Sequence, residues 1–183
     1  MKENTRINGV DVSAVQDTVS AIQENPEMAQ CTFRLKNKWI NGGLNQSTVG
    51  DFYGANQENA HLQTFEIQAD EPQLLAGKDQ AANPVEYLLS ALTACMTTTL
   101  VYHAAIRGIK IDELESELEG DLDMRGFFGL SNEVRRGYEN IRITFKVKTD
   151  EENLARLKAL SKLSPVFDVT SKGTNIDVQI ERK

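Results

Sequence analysis

Two stretches of the chain alternate apolar and polar residues with a period of two, the pattern of a strand with one face in water. From Glu113 to Asp123, Leu114, Ser116, Leu118, Gly120 and Leu122 take one side and carboxylates take the other. Further on, Ile141, Ile143, Phe145 and Val147 face inward while Arg142, Thr144, Lys146 and Lys148 face outward. Set antiparallel, the two stretches would place carboxylates opposite cations, worth about 0.2–1 kcal/mol per pair. Between them, Met124 to Gly137 reads as a connection with three glycines that leaves Phe127, Phe128 and Leu130 looking exposed. An earlier alternation, Cys31, Phe33 and Leu35 running on to Trp39, predicts a strand with Cys31 turned inward. Gly42-Gly43 then turns the chain into a returning arm over 44–52. Further strands are predicted over 62–69, ended by Asp70-Glu71-Pro72, and at the C-terminus, carrying Ile176, Val178 and Ile180.

The helical period appears first in Val12, Val15, Val19 and Ile22, a face that Asp11 or Ser13 could cap and that must end before Pro26. The longest helix is predicted from Pro84 to Arg107. Asn83 supplies its N-cap, Pro84 the first helical position, Glu86 a capping-box partner three residues on, and Gly108 the left-handed cap at its end. It is apolar on most faces between Leu88 and Leu100, so it should be buried, packed against a second copy of itself. Thr149 with Glu152 reads as another capping box, opening a helix with Leu154, Leu157 and Leu160 on one face. Ser164-Pro165 starts a short helix closed by Gly173. The order of helix, three strands, long helix, two strands, helices and strand is an α+β plan with a mostly antiparallel sheet around a long buried central helix.

The 183 residues suit one core, and 40% apolar with 26% charged residues is an ordinary globular balance. A formal charge of −7, with no local gathering of Lys and Arg, disfavours nucleic acid as a partner. No apolar run approaches the roughly 20 residues that span a bilayer, and Met1 to Arg6 lacks the apolar core of a secretory signal, so no membrane association and a cytoplasmic location are expected. Neither a cofactor nor a metal site is expected. Two cysteines are too few for a zinc site, and the carboxylates of 113–123 are spread along a strand.

Cys95 is the residue placed for chemistry. It shares a helix face with Leu88, Ala91, Leu92, Thr98 and Thr99, far from the helix N-terminus that would lower its pKa, and by residue type alone it reads as a packed thiol. Its string Asn83-Pro84-Val85-Glu86-Tyr87-Leu88-Leu89-Ser90-Ala91-Leu92-Thr93-Ala94-Cys95, however, resembles the central-helix signature of the OsmC/Ohr family, the osmotically inducible and organic-hydroperoxide-resistance proteins. The later order, Asp121 to Met124, Arg136-Gly137, Ile141 to Val147 and Ser164-Pro165-Val166, is similar to the same family. The resemblance covers residues 30 to 183 and leaves 1 to 29 as an N-terminal helical extension.

That resemblance implies an OsmC-like fold assembled as an intertwined homodimer, with a site at the subunit interface. It also implies that Cys95 attacks an organic hydroperoxide and becomes a sulfenic acid. The chain is a divergent member. The family's resolving cysteine falls on Ser164 and its activating Glu on Val85, with Glu86 next door. The family Arg has no clear counterpart: Arg34 is a candidate whose outward place in the alternation points to solvent. Cys31 as a substitute resolver, or an external thiol reductant, would close the cycle. The alternative is a non-catalytic protein of this fold that holds a small hydrophobic ligand at the dimer interface. His103 lies about 12 Å along the helix from Cys95, too far to serve as its base within one chain, and His61 reads as solvated.

Overall fold

The computed structural model describes residues 6–183. They form two compact units, Asp11–Leu88 and Arg6–Val10 with Leu89–Lys183. In chain order the elements are β1 (Arg6–Ile7), β2 (Val10–Asp11), α1 (Val12–Glu24), β3 (Leu35–Asn41), β4 (Leu44–Val49), β5 (Phe52–Gly54), β6 (Gln57–Asn59) and β7 (Glu66–Ala69). They continue with α2 (Pro84–Ile106), β8 (Glu113–Asp121), α3 (Met124–Phe127), β9 (Asn140–Lys148), α4 (Leu154–Ser161) and α5 (Pro165–Lys172).

In the first unit, α1 starts where Asp11 accepts from the Ala14 N–H and stops at Asn25, just before Pro26. β3, β4 and β7 make a three-stranded antiparallel sheet in that order, with Leu35 opposite Val49 and Ser47 opposite Ile67. The first strand of this sheet, β3, begins at Leu35, not Cys31. Before it, only Thr32 bridges to Tyr53, which leaves Cys31 exposed where the alternation places it inward. A hairpin absent from the sequence reading, β5–β6, turns through Ala55 and Asn56, both in the left-handed conformation. Asn56 tolerates that conformation but Ala55 carries no turn signal, so the sequence announces this turn only in part.

Asp70 is only 2% exposed, a burial that a carboxylate tolerates only when hydrogen bonds replace its water. Its carboxylate accepts backbone N–H groups from Glu71, Lys78 and Gln80 and so ties the 70–80 loop into a ring. Gly77 has to be glycine there, since a Cβ would lie 1.7 Å from the Glu71 carbonyl oxygen. The amide bonds, that from Glu71 foremost, hold the Asp70 carboxyl below its ordinary range. With a folded-state pKa below the unfolded value, the stability from these bonds is complete above the usual carboxylate range and lost as pH falls through the folded pKa. Asp70→Asn is accordingly expected to flatten the acid limb of a urea-stability profile taken from about pH 6 to pH 3.

In the second unit, β8 and β9 pair over their full length, Glu113 opposite Lys148 and Asp121 opposite Asn140. The outer face is the predicted charge ladder. Lys148 bonds Glu113 at 2.6 Å, Lys146 bonds Glu117, and Arg142 spans Glu119 and Asp121. The inner face packs Leu114, Phe145 and Val147 against Leu100, Ala104, Ile109, Leu157 and Leu160. The expected α4 capping box does not form. Thr149 instead donates its hydroxyl to the Lys110 carbonyl at 2.6 Å, beside the point where Asp112 extends the ladder to Lys148.

Helix α2 opens on the predicted capping box: Asn83 accepts from the Glu86 N–H at 2.8 Å and donates its own N–H to Glu86 at 2.9 Å. Within the chain it buries one stripe, Leu92, Met96, Leu100 and Ala104, and leaves Leu88, Ala91, Thr98 and Tyr102 exposed. The expected all-round burial is therefore absent in the single chain. By length and composition α2 alone among the described helices could also cross a membrane, contrary to the expectation that no run would suffice. Its Leu100–Ala104 end belongs to the core instead. The predicted C-terminal strand is unpaired: after α5 the chain runs on with Ile176, Val178 and Ile180 at 81%, 74% and 94% exposure.

Candidate functional site

Cys95 sits at the middle of α2, half-buried, beside the core stripe and on the border of the open face. One turn away on either side, Ala91 and Thr98 are exposed, so the surface around the thiol is small and weakly polar. On another face of the same helix, the Thr93 and Ser116 hydroxyls meet at 2.6 Å and pin α2 to β8.

The other site candidates are placed elsewhere. Ser164 is completely buried as the N-cap of α5, its hydroxyl accepting from the Phe167 N–H at 3.2 Å. Glu86 spends its carboxylate on the capping box. Arg34 is engaged by Glu58 through two bonds, 2.7 and 2.9 Å, and by the Asp51 carbonyl. That bidentate bond to Glu58 holds the Glu58 carboxyl below its ordinary range. Cys31 lies exposed, its Sγ against Gly54.

His103 accepts at Nδ1 from Arg107 at 3.0 Å, and burial, then the Arg107 charge, push its pKa down. This is a neutral imidazole at the end of the helix. His61, expected in solvent, instead lies between Phe52, tilted to it at a centroid distance of 5.3 Å, and Phe65, edge-on at 5.4 Å, and Phe33 stacks on Phe52 beyond. The rings come from three separated segments, which a linear reading cannot join. Among the described residues no group of three or more His, Cys, Asp or Glu is gathered to hold a metal. A cavity of about 70 Å³ lies over Asp70 between Gly43, Gly77 and Lys78, and Cys95 is not part of it.

Helices and antiparallel strands in both units, with a long thiol-bearing helix followed in sequence by the β8–β9 pair and two helices, define an α+β class. The chain belongs to the OsmC-like protein family, whose model matches residues 77–179. Solved structures of similar fold include an OsmC-like protein from Mycoplasma pneumoniae, with TM-score 0.58, 16% identity, and 77% of this chain and 88% of that one covered. An organic hydroperoxide resistance protein OsmC from Legionella pneumophila aligns with TM-score 0.52 and 14% identity over 78% of this chain and 90% of that one. At such identities the likeness is one of fold. Among curated protein sequences no match reaches significance.

Proposed function

We propose that this chain reduces organic hydroperoxides through Cys95 in a one-cysteine cycle. The observation that carries the reading is the half-buried Cys95 on the part of α2 that the chain's own core leaves open. The thiolate attacks the distal peroxide oxygen, the O–O bond breaks, and an alcohol leaves as Cys95 becomes a sulfenic acid. With Ser164 buried as a helix cap and unable to form a disulfide, a small external thiol condenses with the sulfenic acid, releasing water. A second such thiol then frees Cys95 and leaves as the external disulfide. The test is peroxide consumption by the reduced protein, with mass spectrometry of the product. Fast loss with one sulfenic adduct at Cys95 supports the reading, and an adduct confined to Cys31 overturns it.

A second reading, a binder of a small hydrophobic ligand, is favoured by the placement of Glu86, Arg34 and Ser164. Glu86 and Arg34 are each already engaged by another group, and Ser164 caps α5.

The same proposal includes a homodimer. The chain exposes 13871 Å², whereas two separately closed units of about 9 and 11 kDa would expose about 10,500 Å² between them. The difference, about 3,400 Å² per chain and about 6,700 Å² for a pair, falls at the large end of obligate dimer interfaces. Its clearest part is the tail, where Asp177 and Gln179 share one side and Ile176, Val178 and Ile180 alternate with them. Acidic Asp177 and Glu181 favour the open edge of β9, with Arg142 and Lys146, over the carboxylate edge of β8. The proposal therefore includes pairing of the tail with β9 of a second copy, where Arg142 and Lys146 would each add a carboxylate to those they already hold. Ending the chain after Gly173 is expected to shift a sedimentation profile from dimer to monomer; an unchanged dimer would remove the tail from the interface.

A further inference from the structure

Asn8 and Gly9 form the tip of the β1–β2 hairpin with φ of 53° and 77°, the pair of left-handed conformations that a type I′ turn needs and Asn-Gly supplies. The Asn8 side chain then reaches across 101 residues of sequence: Nδ2 donates to the Ile109 carbonyl at 3.0 Å, and Oδ1 accepts from the Ile111 N–H at 2.9 Å. Both partners lie on the short stretch between α2 and β8, where Ile109 is buried and donates to the Ala104 carbonyl at 2.9 Å. Residues Arg6–Val10 accordingly group with Leu89–Lys183, although the sequence reads as an extension there.

We infer that Asn8 is a positioning residue clasping the exit of α2, and that Asn8-Gly9 is a modification site where deamidation releases one half of the clasp. In the reaction the Gly9 backbone nitrogen attacks Asn8 Cγ, ammonia leaves, and a five-membered succinimide closes. Water then opens the ring to an aspartyl or isoaspartyl residue. One water is consumed, one ammonia is released, and nothing is oxidised or reduced. Glycine makes the attack sterically easy, having no Cβ. In the folded chain both amide atoms of Asn8 are engaged, so attack has to wait for the clasp to open. The other Asn-Gly pair of the chain, Asn41-Gly42, is a built-in reference: Asn41 is exposed, and its side chain has no hydrogen-bond partner among the described residues. Deamidated Asn8 would present a carboxylate oxygen where Nδ2 had donated. Acceptor then faces acceptor at Ile109, and that bond is lost at neutral pH.

The experiment incubates the whole chain at mildly alkaline pH, native and in urea, and follows both sites by mass spectrometric peptide mapping. In urea the two sites should convert at similar rates. In the native chain both should slow, since Asn41 ends β3 opposite Leu44, and Asn8 should be slower than Asn41 by about tenfold or more because its side chain must also be released from the clasp. Native Asn8 converting as fast as Asn41 would overturn the clasp. The Asn8→Asp variant supplies a second readout. At neutral pH it should show a lower Tm and faster hydrogen exchange at the Ile109 amide than wild type. Both deficits should shrink as pH falls far enough to protonate the carboxylate that this substitution introduces, which restores a donor toward Ile109. A variant indistinguishable from wild type at neutral pH, or one whose deficit ignores pH, would also overturn the proposal.

Discussion

Replacing Cys95 by serine is expected to lower organic-hydroperoxide consumption by orders of magnitude, while Cys31→Ser leaves it near the wild-type rate. Serine differs from cysteine by one atom and cannot be oxidised to a sulfenic acid, so the loss would come from the chemistry at that atom. The half-buried position of Cys95 means that the substitution empties little volume, and the variant should remain folded. Cys31 is the necessary comparison because it is the more exposed thiol and would react with peroxide first if exposure alone governed the rate. Equal, slow consumption by wild type and Cys95→Ser would end the catalytic reading and leave the hydrophobic-ligand reading in its place. The measurement is stopped-flow decay of an alkyl hydroperoxide by the reduced proteins.

Leu100→Ala is expected to cost about 2–5 kcal/mol of folding stability, read as a fall in the urea midpoint without a change in slope. Leu100 is 2% exposed and stands where α2 meets Leu157 and Leu160 from α4 and the inner faces of β8 and β9. Few buried apolar residues make up this core, so the loss of one large side chain leaves a cavity that its neighbours cannot easily close. Leu130→Ala, at an exposed loop position, should by comparison stay within about 0.5 kcal/mol. A small loss at Leu100 would mean that α2 is held by something other than this core.

Where a local rule governs, the elements are legible in the sequence. The capping box of α2 needs only Asn83 and Glu86 at the right spacing, and it forms. The β8–β9 pairing needs only two alternating stretches of opposite charge, and its register follows. Ser164 before Pro165 predicts the cap of α5 because the reach of a hydroxyl to an amide three residues on is a property of one turn. The family string around Cys95 is equally local, so membership can be read from it and is matched over residues 77–179.

Long-range competition decides the rest. Thr149 could cap α4 or bond Lys110, and only the arrival of Lys110 beside it settles the choice. Cys31 obeys the strand period, but no neighbouring strand extends to it, so it stays outside. Asp70, which the sequence marks only as the end of a strand, is buried because three amides of its own loop converge on it. Asn8 finds its partners at Ile109 and Ile111, beyond any sequence window. The sequence by itself determined the long helices, the β3–β4 and β8–β9 pairs, the caps of α2 and α5 and the position of the thiol, since periodicity and capping act within a few residues. The tertiary structure alone decided which polar groups are spent on structure, which thiol stays half-open and which apolar faces remain uncovered, since those depend on segments that only folding brings together.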